Sequence, residues 1–416
     1  MHAFGERGVT TVIHHCIPRA VERKAGMATV DGIAHQKIEP GDAARELFGF
    51  LERSHWNGAA LEGPDPGIRF NARLWRFAKS YLSLILLDDA LIYQQAQGYW
   101  TFANWMMWRS SGAEHHRDLA VATSEGVLAC QTPEGYWHYP NPEWRGRIAT
   151  VEGSFAALGL LESYREIGDE RYLEGAVRWH RFMERDIGYR KQPDPSMLAI
   201  NYFQHGSEHS GGVPHNSTLV LWLLARLWEE TADRAFLDRA PYLVQWLYHV
   251  QMDNGELPYR LGRDLDDVTV HFLCHQYNAF EFMDLLHYRR ITGDEAIAGV
   301  IERLAGFLAT GVTPDVHTAY DCNDRRTTVL YYDLALAQAL HQATELGLGD
   351  HRATVSEMYR GSIAQQRPNG GFSYHSKRNY GVLSDKRAYP RYLSMMLVHL
   401  LTAHGQGILA GGAGSP

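Results

Sequence analysis

Apolar residues recur every three to four positions along most of the chain, and this period predicts amphipathic α-helices. From residue 150 onward the helices come in pairs, and the first helices are predicted at Thr150–Ile167, His215–Thr231, His275–Thr292, Thr327–Leu346 and Tyr389–His404. Upstream, the same period predicts helices at Gly41–Arg53, Arg69–Leu87, Thr101–Ser111 and His115–Gln131. The alternation of apolar and polar residues that is typical of β-strands is brief and confined to the long loops. The chain is therefore predicted to be all-α.

Short turns join the two helices of each pair. Each turn has a small residue followed by an acid, at Gly168-Asp169, Ala232-Asp233, Gly293-Asp294 and Gly349-Asp350. Gly can end one helix in the left-handed conformation, and Asp can cap the next. The first helices start about 50 to 65 residues apart, which is typical of paired-helix repeats. We therefore predict an (α/α)6 toroid in which the first helices form an inner ring and their partners an outer ring.

One phrase occurs three times, as Gln-x-x-x-Gly-x followed by a large apolar residue. It spans Gln131–Trp137, Gln251–Leu257 and Gln366–Phe372, at intervals of about 115 to 120 residues. Each copy follows an amphipathic helix, and such recurrence indicates a repeat architecture. We expect its Gln to tie the end of an outer helix to the following turn and its apolar residue to fill the gap between neighbouring hairpins.

The connections from each outer helix to the next inner helix are long. They are predicted at Thr132–Ala149, Gly188–Pro214, Met252–Val270, Gly311–Arg326 and Arg367–Ala388. In a closed ring these loops emerge on one face, beside the N-termini of the inner helices. Long ordered loops on a rigid scaffold are where binding and catalysis concentrate. Helix N-termini also favour an anionic ligand, so the site is predicted at this mouth.

The loops of the mouth are rich in aromatic, imidazole, guanidinium and amide side chains. Tyr and Trp offer flat faces for sugar rings, Arg neutralises carboxylates, and His and Tyr move protons near neutral pH. The candidate site residues are Trp137, His138, Tyr139, Arg145, Tyr202, His205, His209, His215, Asn216, Tyr259, Arg260, His275, Gln276, Asn278, Tyr320, Asp321, Arg325, Arg326, Tyr374, His375 and Arg378.

The composition excludes several classes of protein. Hydrophobic residues make up 45% and charged residues 21% of the 416 residues, as in an ordinary globular protein. The net charge is −8 and the pI is near 6.3, so the chain lacks the excess of basic residues that is typical of nucleic-acid-binding proteins. No apolar run reaches the roughly 18 to 20 residues of a membrane span. The four cysteines show no paired spacing, which favours a reducing cytoplasm.

The toroid is predicted to be a single domain over residues 41–408. Residues 1–40 are predicted to form a partly irregular N-terminal extension, and residues 409–416 a disordered tail. Met1–Gly26 has no apolar stretch suited to a signal peptide, and Met27 is an alternative start.

Two clusters could hold a metal ion. One is His205, His209 and His215, and the other is Cys274, His275 and Cys322. Neither has the spacing of a known ligand motif, and a small Cys is commonly just packed against a neighbouring helix. The sequence therefore predicts no metal and no cofactor, with both clusters left open.

The three repeated phrases resemble the QW-type repeats of the prenyltransferase and squalene-cyclase superfamily, although Leu257 and Phe372 stand where those repeats have Trp. Triterpene cyclases have two such barrels, and this chain has room for one. In addition, Asp264-Leu-Asp266-Asp267 matches the Asp-x-Asp-Asp pattern of class II terpene cyclases, in which a protonated acid attacks an alkene. The same residues also fit a solvated acidic turn.

A second resemblance extends from Gln251 to about Glu345. The segments Glu256–Tyr259, His275–Asn278, Thr318–Asp321 and Tyr331–Asp333 are similar to the catalytic α/α region of D-glucuronyl C5-epimerases and related uronate lyases. The resemblance implies Tyr320 and Tyr332 as proton carriers and Arg325 or Arg326 as a carboxylate clamp. His275, Asp321 and His215 complete the predicted catalytic set.

These features predict a carbohydrate-active enzyme that acts on an acidic, uronate-type sugar by proton transfer at a ring carbon, as an epimerase or lyase. One alternative is a hydrolase of unsaturated uronides with Glu152 and Asp321 as paired carboxylates. Two others are an isoprenoid cyclase that uses Asp266 and Asp267, and a glycan-binding toroid without catalysis. The predicted partner is a small-molecule or oligosaccharide substrate, and the oligomeric state is left open.

Overall fold

The computed structural model describes residues 39–65, 89–141, 146–204, 212–262, 268–326, 329–374, 385 and 387–409, all of which belong to one compact unit, Ile38–Pro416. These residues contain twelve α-helices, which are α1 Pro40–His55, α2 Gln94–Ser111, α3 Glu114–Cys130, α4 Thr150–Ile167, α5 Glu170–Phe182, α6 Pro214–Thr231, α7 Ala240–Val250, α8 Cys274–Thr292, α9 Ala298–Ala309, α10 Leu330–Glu345, α11 Arg352–Ile363 and α12 Pro390–Gly405. Two short antiparallel pairs join β1 Tyr189–Lys191 to β2 Leu198–Ile200 and β3 Arg260–Leu261 to β4 Val268–Thr269.

The helices form two concentric rings, and their burial patterns explain which ring each one joins. Helix α6 is buried at every position from Pro214 to Leu221, as expected of a helix that is surrounded on all sides. Helix α5 instead buries Tyr172, Ala176 and Trp179, the narrower stripe of a helix that faces solvent. The even-numbered helices pack side by side as the inner ring, and α12 packs against α2 to close it.

Each outer helix pairs with one inner helix. The pairs are α2–α3, α4–α5, α6–α7, α8–α9, α10–α11 and, joining the two ends of the described chain, α12–α1. The (α/α)6 toroid predicted from the sequence is therefore confirmed. No helix in the described ranges is both long and apolar enough to cross a membrane.

Most helix boundaries agree with the sequence-based prediction. Helix α4 begins and ends at the predicted residues, whereas α2 begins at Gln94 instead of Thr101. Its first turns are buried on nearly every side, including Gly98 against the backbone of Phe155, so they carry no amphipathic period. The helix predicted at Arg69–Leu87 lies outside the described residues.

The short turns have the predicted chemistry. Gly168 ends α4 with φ of +70°, and the Asp169 carboxylate accepts the N–H of Arg171 at 3.0 Å. Asp233 and Asp294 accept the corresponding N–H groups of Ala235 and Ala296. Because these turns are short, the long connections all emerge at the opposite, N-terminal end of the inner helices.

Each of the three copies of the repeated phrase fastens the end of one outer helix to the next outer helix. The side-chain amide of Gln251 donates to the carbonyl of Gly255 at 2.9 Å and to that of Val300 in α9 at 3.1 Å. The same two bonds join Gln131 to Gly135 and Gly175, and Gln366 to Gly370 and Ala43. The apolar residues of the phrases are at most 1% exposed. The role predicted for the Gln is confirmed, and the apolar residues are buried as that prediction requires.

The glycine of the phrase is required by space as well as by conformation. Gly255 has φ of +90°, and a Cβ atom at this position would overlap the backbone carbonyl oxygen of Arg303 in α9. The backbone of the turn therefore lies directly on the neighbouring outer helix. A side chain of any size would push the two hairpins apart.

We expect Gly255→Ala to lower the free energy of unfolding by about 2 kcal/mol or more, because the new methyl group is strained in φ and clashes with backbone. The matched control is Gly306→Ala in α9, the outer helix on which Gly255 lies. A Cβ atom at Gly306 meets nothing within 4 Å. That change should raise stability by about 0.5 to 1 kcal/mol through lower chain entropy. Urea unfolding followed by circular dichroism measures both. Equal stability of Gly255→Ala and the parent chain would contradict this packing.

Candidate functional site

A cavity lies on the axis of the ring at the N-terminal end of the inner helices. Its volume is about 90 Å³, and every inner helix contributes to its wall. One residue from each inner helix, in chain order, is Gln95, Phe155, His215, Tyr277, Tyr331 and Arg391. The cavity is thus a product of the complete ring and not of any single hairpin.

The wall follows a simple positional rule. Five inner helices place their second residue in the lining, namely Gln95, Val151, His215, Tyr331 and Arg391. A second layer one turn further along comprises Tyr99, Phe155, Leu219, Phe280 and Met395. The first layer is mainly polar and the second mainly apolar. A ligand therefore meets hydrogen-bonding groups at the opening and a hydrophobic floor below them.

Glu152 lies directly behind the first layer, next to Val151 in α4. It is 1% exposed, and its Oε2 atom accepts the backbone N–H of Gln95 at 3.1 Å. Its Oε1 atom has no hydrogen-bond partner among the described residues. Burial raises the pKa of Glu152 to about 7, and the opposing effect of Arg391 does not offset it. Both protonation states are therefore accessible near neutral pH, as general acid–base catalysis requires.

Arg391 is held rigidly at the opening of the cavity. Its Nε atom lies 2.7 Å from Oδ2 of Asp65, and its guanidinium carbon lies 4.4 Å from the ring centre of Tyr93 and 4.7 Å from that of Tyr392. Aromatic faces stabilise the cation, and the carboxylate fixes its orientation. Since Asp65 balances the charge of Arg391, the pair lowers the pKa of Glu152 less than a lone arginine would.

His215 is a neutral imidazole inside a cluster of tyrosines. Its ring stacks on Tyr259 and Tyr277 at centroid distances of 5.3 and 4.6 Å, and Tyr202 meets it edge-on at 5.9 Å. Burial lowers the pKa of His215 to about 3. At neutral pH it can therefore both donate and accept a hydrogen bond without carrying charge. Its Nδ1 atom has no partner in the described part of the chain.

Asp284 is the carboxyl group that lines the floor of the cavity. It receives a hydrogen bond from Oγ1 of Thr218 at 3.1 Å. Burial raises the pKa of Asp284 well above its ordinary value, and the hydrogen bond from Thr218 opposes this only in part. Glu152 and Asp284 thus approach the cavity from different depths.

Several residues predicted from the sequence come together here. Tyr202, His215 and Gln276 line the cavity, and Tyr259 packs on His215. The loop that carries Tyr202 is fixed by the N–H of Thr150, which donates to the Tyr202 carbonyl at 3.0 Å.

Two further predicted tyrosines belong to the aromatic packing around the cavity. Tyr139 meets Tyr93 edge-on at 5.7 Å. Tyr374 lies 5.6 Å from Tyr392 and 6.1 Å from Tyr331.

The pair implied as proton carriers lies outside the lining. Tyr332 is 1% exposed, and its ring centre is 6.1 Å from that of Tyr320. The neighbouring Tyr331 occupies the cavity wall instead. His275 likewise faces away from the axis, where it stacks on Phe307 at 4.9 Å.

Other predicted residues hold the loops in place. The Asp321 carboxylate accepts the N–H groups of Asn323 and Asp324, and the Arg325 guanidinium donates to the carbonyls of Thr310 and Val312. Arg326 is exposed.

Amide and indole side chains have similar roles. Asn278 exchanges two hydrogen bonds with the backbone of Leu257, and Asn216 donates to the carbonyl of Asn201. The Trp137 indole donates to the carbonyl of Val127.

His138 is exposed next to Tyr136, and Arg260 lies in β3 opposite Thr269. The remaining predicted residues lie outside the described ranges and are Arg145, His205, His209, His375, Arg378, Asp264, Asp266 and Asp267.

The predicted site residues did not include Arg391, Asp65, Tyr93, Tyr277 or Tyr331. Arg391, Tyr277 and Tyr331 lie in the first turn of an inner helix, whereas most of the predicted residues lie in loops. The second residue of each predicted inner helix does not give the first layer, because most of the inner helices begin one or more residues away from the predicted start. The pairing of Arg391 with Asp65 joins positions far apart in the chain, and no local pattern indicates it.

Comparisons with known proteins agree with the fold. No protein-family model matches the sequence, and no curated protein matches it either. The structure resembles cellobiose 2-epimerase from Bacillus thermoamylovorans, with 14% identity, a TM-score of 0.67, and coverage of 87% of this chain and 98% of that one. It also resembles a family 76 glycoside hydrolase, a mannosidase, from Bacteroides thetaiotaomicron, with 12% identity, a TM-score of 0.64, and coverage of 88% and 99%.

A third similar structure is a possible member of the GH105 family from Salmonella enterica. The identity is 12%, the TM-score is 0.63, and the match covers 90% of this chain and 97% of that one. At such low identities the likeness shows a shared (α/α)6 toroid.

The raised pKa of Glu152 makes a prediction for stability. The group favours folding when protonated, so its contribution is present below its ordinary pKa of 4.5 and is lost as pH rises to about 7. Glu152→Gln removes this dependence. We expect the stability of the variant relative to the parent chain to rise by about 3 kcal/mol between pH 4.5 and 7.5. Urea unfolding at several pH values measures the difference in unfolding free energy between the variant and the parent chain. The contributions of the other titrating groups are the same in both proteins and cancel in this difference.

Glu162→Gln in the same helix is the matched control. Burial opposes ionisation of Glu162, but Arg226 and Arg109 outweigh it and lower its pKa. The stability that Glu162 contributes is therefore present above its ordinary pKa and is lost only under more acidic conditions. We expect the effect of Glu162→Gln to be constant over the same pH window. If the stability of Glu152→Gln relative to the parent chain also did not change with pH, the raised pKa of Glu152 would be contradicted.

Proposed function

We propose that this protein is a carbohydrate-processing enzyme whose substrate binds in the axial cavity. Tyr277, Tyr331 and Tyr392 offer aromatic faces to a sugar ring, and Gln95 and Gln276 offer hydrogen bonds to its hydroxyl groups. Similar structures include a cellobiose 2-epimerase and a family 76 mannosidase, both of which act on sugars by name. A polar aromatic lining suits a sugar better than the wholly apolar surface that an isoprenoid would require.

The reaction that we propose is proton transfer at a carbon next to a carbonyl or carboxyl group. The observation that carries this proposal is the buried carboxyl group of Glu152, with a pKa of about 7 and a partnerless Oε1 atom beside Arg391. The Glu152 carboxylate takes the proton from carbon, and negative charge develops on the adjacent oxygen. Arg391 neutralises that charge, and neutral His215 can donate a hydrogen bond to it. Delivery of a proton by a second group to the opposite face of that carbon completes an epimerisation, whereas loss of a leaving group from the neighbouring carbon completes an elimination.

Within this class we propose an acidic, uronate-type sugar as the substrate. The Arg391 guanidinium lies in the first turn of α12 and places a fixed positive charge at the opening, although its Nε and Nη2 atoms already bind Asp65. The N-termini of the inner helices converge on the same opening, which further favours an anion. A sugar carboxylate would share Arg391 with Asp65. A neutral sugar would leave the Arg391–Asp65 pair undisturbed.

A glycoside hydrolase is the second candidate, because the cavity has a second buried carboxyl group. Hydrolysis needs one carboxyl group as acid and another as base or nucleophile. Asp321, the partner predicted for Glu152, is occupied by its own turn. Asp284 at the floor of the cavity is the group that could take its place. The neighbours from families 76 and 105 make this candidate worth testing beside the first.

Isotope exchange tests the proposal. The full-length protein is incubated in D2O with uronic acid oligosaccharides, neutral disaccharides and isoprenyl diphosphates, and products are followed by NMR and mass spectrometry. We expect deuterium at carbon if the reaction is an epimerisation, or an unsaturated uronate with one water less than the hydrolysis product if it is an elimination. In either case kcat/KM should rise with pH through about 7 as Glu152 ionises. Glu152→Gln should lower kcat by at least about 100-fold.

Asp284→Asn distinguishes the two candidate reactions. If the reaction is proton transfer through Glu152, this variant keeps deuterium exchange within about tenfold of the parent rate. A hydrolase would instead cleave the oligosaccharide without deuterium at carbon and would lose activity in both variants. Binding of sugar without any reaction would indicate a glycan-binding protein and overturn the enzymatic proposal.

A further inference from the structure

A second group of reactive side chains lies outside the axial cavity. Glu256 and His271 come from the segment between α7 and α8, Cys274 is the first residue of α8, and Cys322 comes from the loop between α9 and α10. Each offers one ligand atom, and the four atoms all lie within 4.8 Å of one another. Two separate loops of the mouth therefore meet at this cluster.

The contacts within the cluster are close. The Sγ atoms of Cys274 and Cys322 are 3.3 Å apart, and Sγ of Cys322 lies 3.9 Å from Oε2 of Glu256. Nδ1 of His271 lies 2.6 Å from the same oxygen. Tetrahedral zinc with bonds of about 2.0 to 2.3 Å needs donor atoms about 3.3 to 3.8 Å apart. Small side-chain rotations would bring all four donors to such distances.

The backbone is bent in a way that builds this cluster. His271 has φ of +58° and Leu273 has φ of +46°, and neither is a glycine. Left-handed residues of this kind cost about 1 to 3 kcal/mol each and persist only where the surroundings impose them. The bend turns both the backbone N–H and the ring of His271 towards Glu256, whose side chain is 0% exposed. It also places Cys274 at the first position of α8.

We propose that Glu256, His271, Cys274 and Cys322 bind one Zn²⁺ ion that cross-links the two loops. Two sulfur atoms, one imidazole nitrogen and one carboxylate oxygen form a complete tetrahedral donor set of the kind that zinc prefers. Two thiolates and a carboxylate exceed the charge of the ion by one. The Arg325 guanidinium, which interacts electrostatically with Cys322, balances that excess.

The geometry selects different ligands from those that the sequence suggested. His275 follows Cys274 directly, but its ring stacks on Phe307 and points away from the sulfur atoms. His271 approaches them instead, because the left-handed bend reverses the chain between residues 271 and 273. Glu256 lies near the end of the repeated phrase, and its distance along the chain from the cysteines matches no known metal-binding motif.

The ion would stiffen the mouth without taking part in the chemistry at Glu152. Tyr259 lies between Glu256 and His271 in the chain, and Tyr277 lies one turn after Cys274. Both rings pack on His215. Zinc would therefore fix the wall around His215, a positioning role that does not depend on the proposed reaction.

Metal analysis of the full-length, tag-free protein tests this proposal. Protein purified under reducing conditions should contain one zinc per chain by plasma mass spectrometry. Cys274→Ser and Cys322→Ser should each lose at least tenfold in zinc affinity, whereas Cys130→Ser, in α3, should keep the metal. Circular dichroism shows whether each variant retains its helices.

A titration of the parent chain needs no variant. Metal-free protein titrated with Co²⁺ should develop thiolate-to-cobalt charge transfer and the intense visible bands of a tetrahedral complex, with an endpoint at one ion per chain. Loss of the charge-transfer band in Cys322→Ser would support the ligand assignment. Protein that contains no zinc and gives no such spectrum would overturn the proposal, as would a Cys274–Cys322 disulfide in protein purified with reductant.

Discussion

The contact on which the fold depends is the packing of the turn in each repeated phrase against the next outer helix. Gln251 binds two carbonyl groups at once, and Gly255 lets the turn lie directly on the backbone of α9. The copy at Gln366 reaches Ala43 in α1 and so fastens the two ends of the described ring. These contacts set the spacing of the hairpins. The spacing in turn brings the first turns of six inner helices around one cavity.

The position of the cavity determines its chemistry. A side chain in the first turn of an inner helix lies near the positive end of that helix and has little water around it. Its pKa therefore depends on its burial and on the charged and aromatic groups that it contacts. Burial raises the pKa of Glu152 to about 7 and lowers that of His215 to about 3. Arg391 remains charged because Asp65 and two aromatic rings surround it. The cavity wall thus contains a neutral imidazole and a fixed cation, and a carboxyl group that titrates near neutrality lies directly behind that wall.

Local patterns predicted the architecture but few of the residues in the lining. The period of α4 and the Gly168-Asp169 turn depend on neighbouring residues, so they can be read from the sequence. Which side of a buried helix faces the axis cannot be read in this way, and His275 faces Phe307 while the adjacent Gln276 lines the cavity. Contacts between distant segments, such as Arg391 with Asp65, depend on ring closure. They become visible only in the folded chain.

The central claim is that the axial cavity is the substrate site and that Arg391 recognises the substrate. A crystal structure of the full-length protein soaked with a uronic acid oligosaccharide tests it most directly. The account predicts a sugar ring against Tyr277 and Tyr331 with its carboxylate on Arg391. A sugar bound at the opposite face of the ring, with the cavity empty, would contradict it.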